Sequence, residues 1–396
     1  MTDGAPIYMK RDICNVTELK YRNRAVLLEA LFYNSLSRAD LARFSNLTRS
    51  AISDHIDELI AEGIIRETGV GKNKRGRKPI LLEIDPSYGY YGGFFISRSI
   101  CRVGVTDIKG NVLGSYNFDS EVRSQPDEVI TRVSAKLFDI LCDMRIPCEK
   151  LIGVGASVPG PIDTKTGAIM MPPGFSQWHH YPLQQSLINH IKRPVIIDNN
   201  AASLTIAEIR FGHGRNYESF IYIVVESGIG GGIVINRQRL AGVGGYGSEL
   251  GHTSIRQHGR ICDCGNQGCL ERYAAIPVLL SDCFSPDEGV ASWEQVVDRA
   301  YKGDARCLEA MKREADYLSV TLINFVNALE PQALIFAGQV SYRHELFKRL
   351  LEERICASVI MKNIRQIEIL SSSLSGEYAM LSAASTVIDS FIKGMI

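Results

Sequence analysis

Apolar residues in the first part of the chain recur at the spacing of an amphipathic helix. Within residues 17–34 they occupy positions i, i+1, i+4 and i+5, which lie on one face of a helix. The residues on this face are Val26, Leu27, Ala30 and Leu31. The first element predicted from the sequence is therefore a helix whose apolar face packs against the elements that follow.

Two short helices are predicted directly after it. The first runs from Leu36 to Phe44, with Ser37 as its N-terminal cap. The second runs from Arg49 to Glu62, with Thr48 as its cap, and Gly63 ends it in the position that favours glycine. Its predicted buried stripe is Ile52, Ile56, Leu59 and Ile60.

Two short strands follow, at residues 64–68 and 80–84, and they flank a strongly basic loop. The loop holds five Lys and Arg residues within the seven positions 72–78, and no acidic residue. Three helices followed by two strands and this loop predict a winged helix-turn-helix domain over residues 1–85. A merely solvated loop is the plain alternative for such a basic run.

The helix that begins after Thr48 and the basic loop carry candidate DNA contacts. Short polar side chains and one arginine at a helix N-terminus can reach base edges in a major groove. Arginines of the loop can enter a minor groove while lysines contact phosphates. The predicted DNA-binding residues are Thr48, Arg49, Ser50, Ser53, Lys72, Lys74, Arg75, Arg77 and Lys78. The alternative is a helical unit that mediates only protein contacts.

Residues 86–396 alternate apolar strands with helical patterns, which is typical of α/β chains. Six strands are predicted, at 91–96, 103–107, 151–156, 195–198, 220–225 and 333–337. They form one cluster before about residue 200 and another after it, which predicts two lobes with a cleft between them. A helix predicted after Gly376 returns to pack against a lobe or serves as a dimer contact.

The composition is that of an ordinary globular protein, with 45% hydrophobic residues, 22% charged residues and a formal net charge of zero. At 396 residues the chain is long enough for two or three domains. No apolar run of about 18 residues predicts a membrane span, and the first residues lack the apolar segment of a signal peptide. The ten cysteines are sparse, and closely spaced thiols without a disulfide framework favour a reducing compartment. We predict a cytoplasmic protein.

Histidine and cysteine are concentrated between His252 and Glu271. The order is His-x9-Cys-x-Cys-x4-Cys, which offers His252, Cys262, Cys264 and Cys269 as ligands, with glycines between the last two cysteines. One imidazole and three thiolates suit tetrahedral Zn²⁺. Four protein ligands leave no position for water, so the predicted zinc is structural. A disulfide, or four unrelated residues on a loop, are the alternatives.

With these features, the chain resembles the ROK family, which comprises repressors, uncharacterised reading frames and sugar kinases. The resemblance rests on the ExGH segment Glu249–His252, the CxCGxxGCxE segment Cys262–Glu271 and the PGPVD-like segment Pro159–Asp163. It spans nearly the whole chain, and the winged helix places the chain with the repressors of the family. It implies an actin-like ATPase fold of two lobes over residues 86–396, with zinc held by His252 and the three cysteines.

The resemblance also implies a ligand site. In the kinases of the family, side chains of these motifs contact sugar hydroxyls. A carboxylate can accept hydrogen bonds from two neighbouring hydroxyls, so the chemistry agrees. The implied effector-binding residues are Pro159, Gly160, Asn199, Asn200, Glu249, His252 and Glu271. We expect a sugar or a sugar phosphate as the effector.

Comparison with the kinase motifs indicates which catalytic elements this chain lacks. In the phosphate-binding turn DxGGT, Phe95 replaces the aspartate, and Ser97 and Arg98 replace the two glycines that let backbone amides approach phosphate. Asn200 matches the position of the catalytic aspartate, and an amide cannot accept a proton as a base does. Glu226 replaces the first glycine of the second phosphate loop, where it would repel phosphate. We therefore predict that the domain does not catalyse phosphoryl transfer.

The predicted function is that of a sugar-responsive transcriptional regulator, specifically a repressor of carbohydrate-utilisation genes. Its predicted partners are double-stranded operator DNA, an effector sugar, and further copies of the chain in a homodimer or a dimer of dimers, since operators are commonly two-fold symmetric. No membrane partner is expected. Two alternatives stay open. One is an active sugar kinase with a DNA-binding appendage, and the other is a regulator that answers to a protein partner such as a transport-system component.

Overall fold

The computed structural model describes residues 16–70, 78–98, 100–119, 124–242, 245, 247–360, 367–374, 376 and 378–396. The described chain forms two compact units. One comprises the residues up to Gly89 together with Ile388–Ile396, and the other is Tyr90–Val387. Among the helices of the described residues, each is too short or too polar to cross a lipid bilayer.

The first unit contains three helices and a small antiparallel sheet. Its elements are α1 (Val16–Tyr33), β1 (Leu36–Ser37), α2 (Arg38–Ser45), α3 (Arg49–Ala61), β2 (Ile65–Val70) and β3 (Ile80–Ile84). The strand order is β1-β3-β2. The side chain of Ser37 caps α2 by accepting from the amide of Asp40, and Thr48 caps α3 by accepting from the amide of Ala51. Both capping residues are those that the sequence predicts.

The buried face of α1 differs from the predicted one by one position. Val26 is 37% exposed, whereas Leu28 is only 4% exposed and joins Leu27 and Leu31 in the core. The predicted and the observed face share most of their residues. They differ at one edge because neighbouring helix residues point about 100° apart, and the apolar pattern alone does not fix the centre of the stripe more closely than that. In α3, Ile60 is half-buried, while the other three residues of its predicted stripe are fully buried.

The second unit contains two five-stranded sheets. The elements around the first sheet are β4 (Tyr90–Ile96), β5 (Cys101–Thr106), β6 (Val112–Phe118), α4 (Pro126–Asp143), β7 (Leu151–Val158), β8 (Ile162–Asp163), β9 (Ala168–Ile169), α5 (Leu183–Ile191) and β10 (Val195–Asn199). Those around the second sheet are α6 (Asn200–Phe211), β11 (Phe220–Val225), β12 (Ile229–Ile235), β13 (Gln238–Arg239), α7 (Glu271–Ala274), α8 (Ile276–Cys283), α9 (Trp293–Tyr301), α10 (Ala305–Leu329), β14 (Ala333–Gly338), α11 (Glu345–Ser358), β15 (Glu368–Ser371) and α12 (Tyr378–Ile392).

The two sheets share one topology. The first has the order β10-β7-β4-β5-β6 and the second β13-β12-β11-β14-β15. In each, three strands form an antiparallel meander, and two further strands are added in parallel beside the first strand of the meander. Each sheet therefore repeats the order 3-2-1-4-5 when its own strands are numbered along the chain. Two lobes built on the same plan are the result.

Helices pack closely on both sheets at glycine positions. A Cβ on Gly155 of β7 would lie 1.8 Å from the carbonyl oxygen of Ala383, so α12 can approach the first sheet only because this residue is glycine. A Cβ on Gly232 of β12 would lie 2.1 Å from the hydroxyl of Thr205, so the same holds for α6 on the second sheet. Helix α6 also contacts β7 and β10, and it therefore lies between the two lobes.

All six strands that the sequence predicts in the second unit are present, and three further strands of four residues or more are not predicted from the sequence. Strand β6 has no fully buried side chain, so it lacks a clear apolar pattern. Strand β12 begins Ile-Gly-Gly-Gly, a composition more typical of a loop. Strand β15 has only four residues.

Candidate metal centre, ligand pocket and nucleic-acid interface

One histidine and three cysteines come together in the second lobe. The Sγ of Cys262 lies 3.6 Å from Nδ1 of His252, and the Sγ of Cys264 lies 3.7 Å from the Sγ of Cys269. The four ligand atoms all lie within 4.8 Å of one another. Two thiolates on a tetrahedral Zn²⁺ with Zn–S bonds of about 2.3 Å are about 3.8 Å apart, whereas a disulfide needs about 2.05 Å. The cysteines are free thiols, and the cluster has the shape of a metal site.

Tight turns shape the loop around this cluster. Gly268 has a φ of +77°, and a Cβ on it would lie 1.9 Å from the carbonyl oxygen of Arg256. The side-chain amide of Asn266 donates to the Sγ of Cys269 at 3.3 Å, a contact that favours thiolate over thiol. Burial raises the pKa of Cys269 to about 12, so this thiol stays protonated unless a cation lies beside it. The donor set, its spacing and its hydrogen bonds fit a bound metal ion.

Glu271 lies between the loop of residues 252–269, called the metal loop below, and a cavity in the second unit. It begins α7, two residues after Cys269, and its carboxylate accepts the backbone N–H of Ile229 at 2.8 Å. Glu249 keeps contact with solvent. Partial burial of its carboxyl raises the pKa of this group. The nearby His252 lowers the same pKa, and the nearby Glu271 raises it. The ExGH segment and the end of the metal loop therefore lie close enough to interact electrostatically.

The cavity has a volume of about 230 Å³ and lies where residues of both lobes meet. It is lined by Phe95, Ser97, Arg98, Pro159, Gly160, Pro173, Phe175, Asn200, Ala201, Leu204, Val224, Glu226, Ser227, Gly228, Ile229, Gly230, Glu271 and Tyr378. Of the predicted effector residues, Pro159, Gly160, Asn200 and Glu271 are in this lining. The sequence reasoning did not identify Phe175 or Tyr378, because an isolated aromatic residue carries no motif.

Three other predicted effector residues lie outside the lining. The side-chain oxygen of Asn199 accepts the backbone N–H of Ala202 at 2.8 Å and so caps α6, and its Cβ would be 3.3 Å from a Cβ on Gly160. His252 points its Nδ1 into the metal cluster. Glu249 precedes His252 in the same short turn. Their contact with an effector stays a prediction.

The amide of Asn200 is held in a fixed orientation at the first turn of α6. Its Oδ1 accepts the hydroxyl of Ser157 at 2.9 Å, and its Nδ2 donates to the carbonyl oxygen of Ile96 at 3.0 Å. The neighbouring Asp198 pairs with Arg239 at 2.7 Å, a half-buried ion pair. The nearest carboxylate in sequence is thus engaged by a cation.

Phe95 and Tyr378 contribute aromatic rings to the lining of the cavity. Their rings meet edge to face with centroids 6.3 Å apart, and Phe95 is only 3% exposed. The glycines after Ser227 have packing roles. Gly230 meets Ala201 of α6, and Gly231 meets Leu250. Their presence is explained without a phosphate.

The start of α3 forms an exposed polar surface on the first unit. Thr48, Arg49 and Ser50 are exposed, and Ser53 is half-buried. Lys78 is exposed at the start of the segment leading into β3. The predicted wing residues Lys72, Lys74, Arg75 and Arg77 lie outside the described residues.

Two segments match known families. Residues 99–390 match the ROK family, and residues 33–66 match a winged helix-turn-helix DNA-binding family. The xylose repressor of Bacillus subtilis (strain 168) is 31% identical over 391 residues, which cover 96% of this chain and 98% of the repressor. The glucokinase of Thermotoga maritima is 28% identical over 311 residues, covering 74% of this chain and 96% of the kinase.

A solved structure has the same fold over nearly the whole chain. It is a ROK family transcriptional regulator described as a homologue of the E. coli Mlc protein, with a TM-score of 0.82, 21% identity, and coverage of 95% of this chain and 98% of that one. The predicted fold class, a winged helix-turn-helix followed by an actin-like ATPase fold with two lobes, is confirmed. The family match across both lobes and the identity with the repressor lead to one conclusion: the chain belongs to the ROK family.

Proposed function

We propose that this protein is a sugar-responsive transcriptional repressor. The first unit binds operator DNA, and a sugar in the cavity of the second unit changes the affinity for that DNA. The observation that carries the proposal is the cavity itself, in which Asn200 and Glu271 offer polar groups to a ligand of monosaccharide size while the chain also bears a DNA-binding domain. Support comes from the xylose repressor, which is similar over nearly its whole length.

On the DNA side, α3 enters the major groove with Thr48, Arg49, Ser50 and Ser53 near the bases. The wing residues Lys72, Lys74, Arg75, Arg77 and Lys78 contact the phosphates and the minor groove. Two copies of the domain in a homodimer or a dimer of dimers would read the two half-sites of a symmetric operator.

His252, Cys262, Cys264 and Cys269 would hold Zn²⁺ in a reducing compartment such as the cytoplasm. Its positive charge would stabilise the three cysteines as thiolates, and the four bonds would brace the loop that carries them. The loop that holds the three cysteines leads directly into Glu271. A rigid loop would orient the carboxylate of Glu271 towards the cavity.

The cavity binds its ligand without transferring phosphate. Asn200 at the base position cannot accept a proton, and Asp198 nearby is paired with Arg239. The similarity to a glucokinase makes the opposite outcome worth measuring. Formation of ADP from ATP and Mg²⁺ with any sugar of a broad panel would contradict this part of the proposal.

One experiment tests the proposal as a whole. The full chain is titrated into labelled operator fragments selected from a random-sequence DNA library, with and without each sugar of a panel. We expect specific DNA binding and a loss of affinity with at least one sugar. Specific binding that no sugar alters would contradict sugar control and favour control by a protein partner. The absence of any specific DNA binding would contradict the repressor assignment.

A further inference from the structure

Glu226 occupies the turn between β11 and β12 and lines the cavity. Its backbone is fixed on both sides, since its N–H donates to the carbonyl oxygen of Gly228 and its carbonyl oxygen accepts the N–H of Ile276, both at 2.9 Å. A Cβ on Gly338 would lie 2.8 Å from the Cγ of Glu226, so the side chain runs along the end of β14. This position is set by the fold and not by a flexible loop.

The charged side chains that line the cavity, among the described residues, are Arg98, Glu226 and Glu271. Arg98 is exposed, and its guanidinium donates to the carbonyl oxygen of Pro173, another lining residue, at 3.5 Å. Glu226 is half-buried, and burial raises the pKa of its carboxyl. Among the described residues, the lining therefore combines two acidic groups and the amide of Asn200 with one cation, and that cation is exposed.

A phosphate group and a sugar hydroxyl respond to this interior in opposite ways. A phosphate near Glu226 would place like charges together in a partly desolvated space, where they repel strongly. A hydroxyl can donate to either carboxylate and gains a charge-assisted hydrogen bond. Phe95 and Tyr378, whose rings meet edge to face, add aromatic surface to the same lining. At about 230 Å³, the cavity is also below the roughly 300–1,000 Å³ of common ligand sites.

We infer that the effector is an uncharged, unphosphorylated monosaccharide and that Glu226 is the residue that excludes phosphorylated sugars. The inference rests on the proposed function of the cavity as an effector site, and it adds the chemical class of the effector. It also identifies a specificity-determining residue within the turn that carries phosphate in related kinases.

Calorimetric titration of the full chain tests the inference with matched pairs of ligands. The probes are xylose, glucose, N-acetylglucosamine, and the 6-phosphates of the last two. We expect at least one unphosphorylated sugar to bind. If that sugar is glucose or N-acetylglucosamine, its 6-phosphate should bind at least tenfold more weakly than the sugar itself. If that sugar is xylose, both sugar phosphates should bind more weakly than xylose.

The substitution Glu226→Gln then separates charge from shape, because glutamine keeps the size of the side chain. We expect the ratio of affinities for the unphosphorylated and phosphorylated sugars to fall at least threefold, and Glu226→Gly, which restores the glycine of the kinase motif, should lower it further. Glu309→Gln is the matched control, since Glu309 is an exposed carboxylate on α10 outside the cavity lining. It should leave the ratio as in the original chain.

The outcomes are distinguishable. If a sugar phosphate binds as tightly as every unphosphorylated sugar or more tightly, the inference is overturned while sugar control of the protein stands. If the original chain discriminates but Glu226→Gln retains the full ratio, the role of Glu226 is overturned. If neither class of sugar binds, the proposed effector function itself fails, and the inference fails with it.

Discussion

The carboxylate of Glu271 accepts the backbone N–H of Ile229 at 2.8 Å. A Cβ on the preceding Gly228 would lie 2.7 Å from the same carboxylate oxygen, so the acid rests directly against this turn. The contact links the metal loop, which ends at Glu271, to the turn between β11 and β12 that lines the cavity. A carboxylate offers about four acceptor positions, so Glu271 can hold the turn and still accept from a ligand hydroxyl.

We therefore predict that Glu271→Ala weakens effector binding by roughly tenfold to a hundredfold, since hydrogen bonds to charged groups contribute about 1.5–3 kcal/mol. DNA binding in the absence of sugar should stay within about twofold of the original chain. Calorimetry with the sugar and fluorescence anisotropy with operator DNA measure the two effects. Glu352→Ala, which removes a carboxylate from α11, is the control. An unchanged sugar affinity in Glu271→Ala would exclude this residue from the effector site.

The metal cluster leads to a second prediction. Cys262→Ser removes a buried ligand, so the variant should lose the one metal ion per chain that elemental analysis of the original protein is expected to detect. Loss of a structural metal site should lower the free energy of unfolding of the second unit by on the order of 2–5 kcal/mol. Cys356→Ser, at an exposed cysteine of α11, should retain both metal and stability. If the original protein is as stable without its metal ion as with it, the metal ion has no structural role.

How far the sequence predicts the structure depends on the kind of signal each element carries. The caps Ser37 and Thr48 were identified because their polar side chains precede apolar helical patterns, a local feature that tertiary packing does not change. The cluster of one histidine and three cysteines is predictable because the chemistry of these residues and their spacing are both unusual. These features can be detected without knowing which elements are neighbours in space.

Features that depend on packing were not predictable in the same way. Gly232 of β12 makes room for Thr205 of α6, a contact that no local pattern indicates. Tyr378 lies 283 positions after Phe95 in the sequence numbering, and only the fold brings their rings together at the cavity. The assignment of Asn199 as a ligand residue did not anticipate that its side chain would cap α6.

The exposed start of α3 gives a third prediction, which concerns DNA. Arg49→Ala should weaken binding to the preferred operator by about 1–3 kcal/mol and reduce discrimination between sequences, because an arginine at this position can read base edges.

Replacing Arg75 and Arg77 together should weaken binding to all sequences and lower its dependence on salt, because phosphate contacts release counterions. Titrations at several salt concentrations separate the two effects. Arg349→Ala, at an exposed position of α11, is the control for the loss of a positive charge.

Glu314 of α10 gives the last prediction, which concerns stability and pH. Its side chain is fully buried, and neither carboxylate oxygen has a hydrogen-bond partner among the described residues. Burial raises its pKa well above the ordinary value of 4.5, so the folded protein holds this carboxyl protonated over a range in which the unfolded chain has released the proton. Within that range this group binds more protons in the folded state than in the unfolded state, so the contribution of Glu314 to stability falls as the pH rises from 4.5.

Glu314→Met replaces the acid with an apolar side chain of similar size and removes this penalty. We predict a gain of about 1–3 kcal/mol at neutral pH. The gain should shrink as the pH is lowered towards 4.5, where the acid is neutral in both states. Denaturant unfolding of both chains across this range measures it, with Glu309→Met, at an exposed position of the same helix, as the control. A gain that does not vary with pH would mean that packing, and not the ionisation of Glu314, sets the difference.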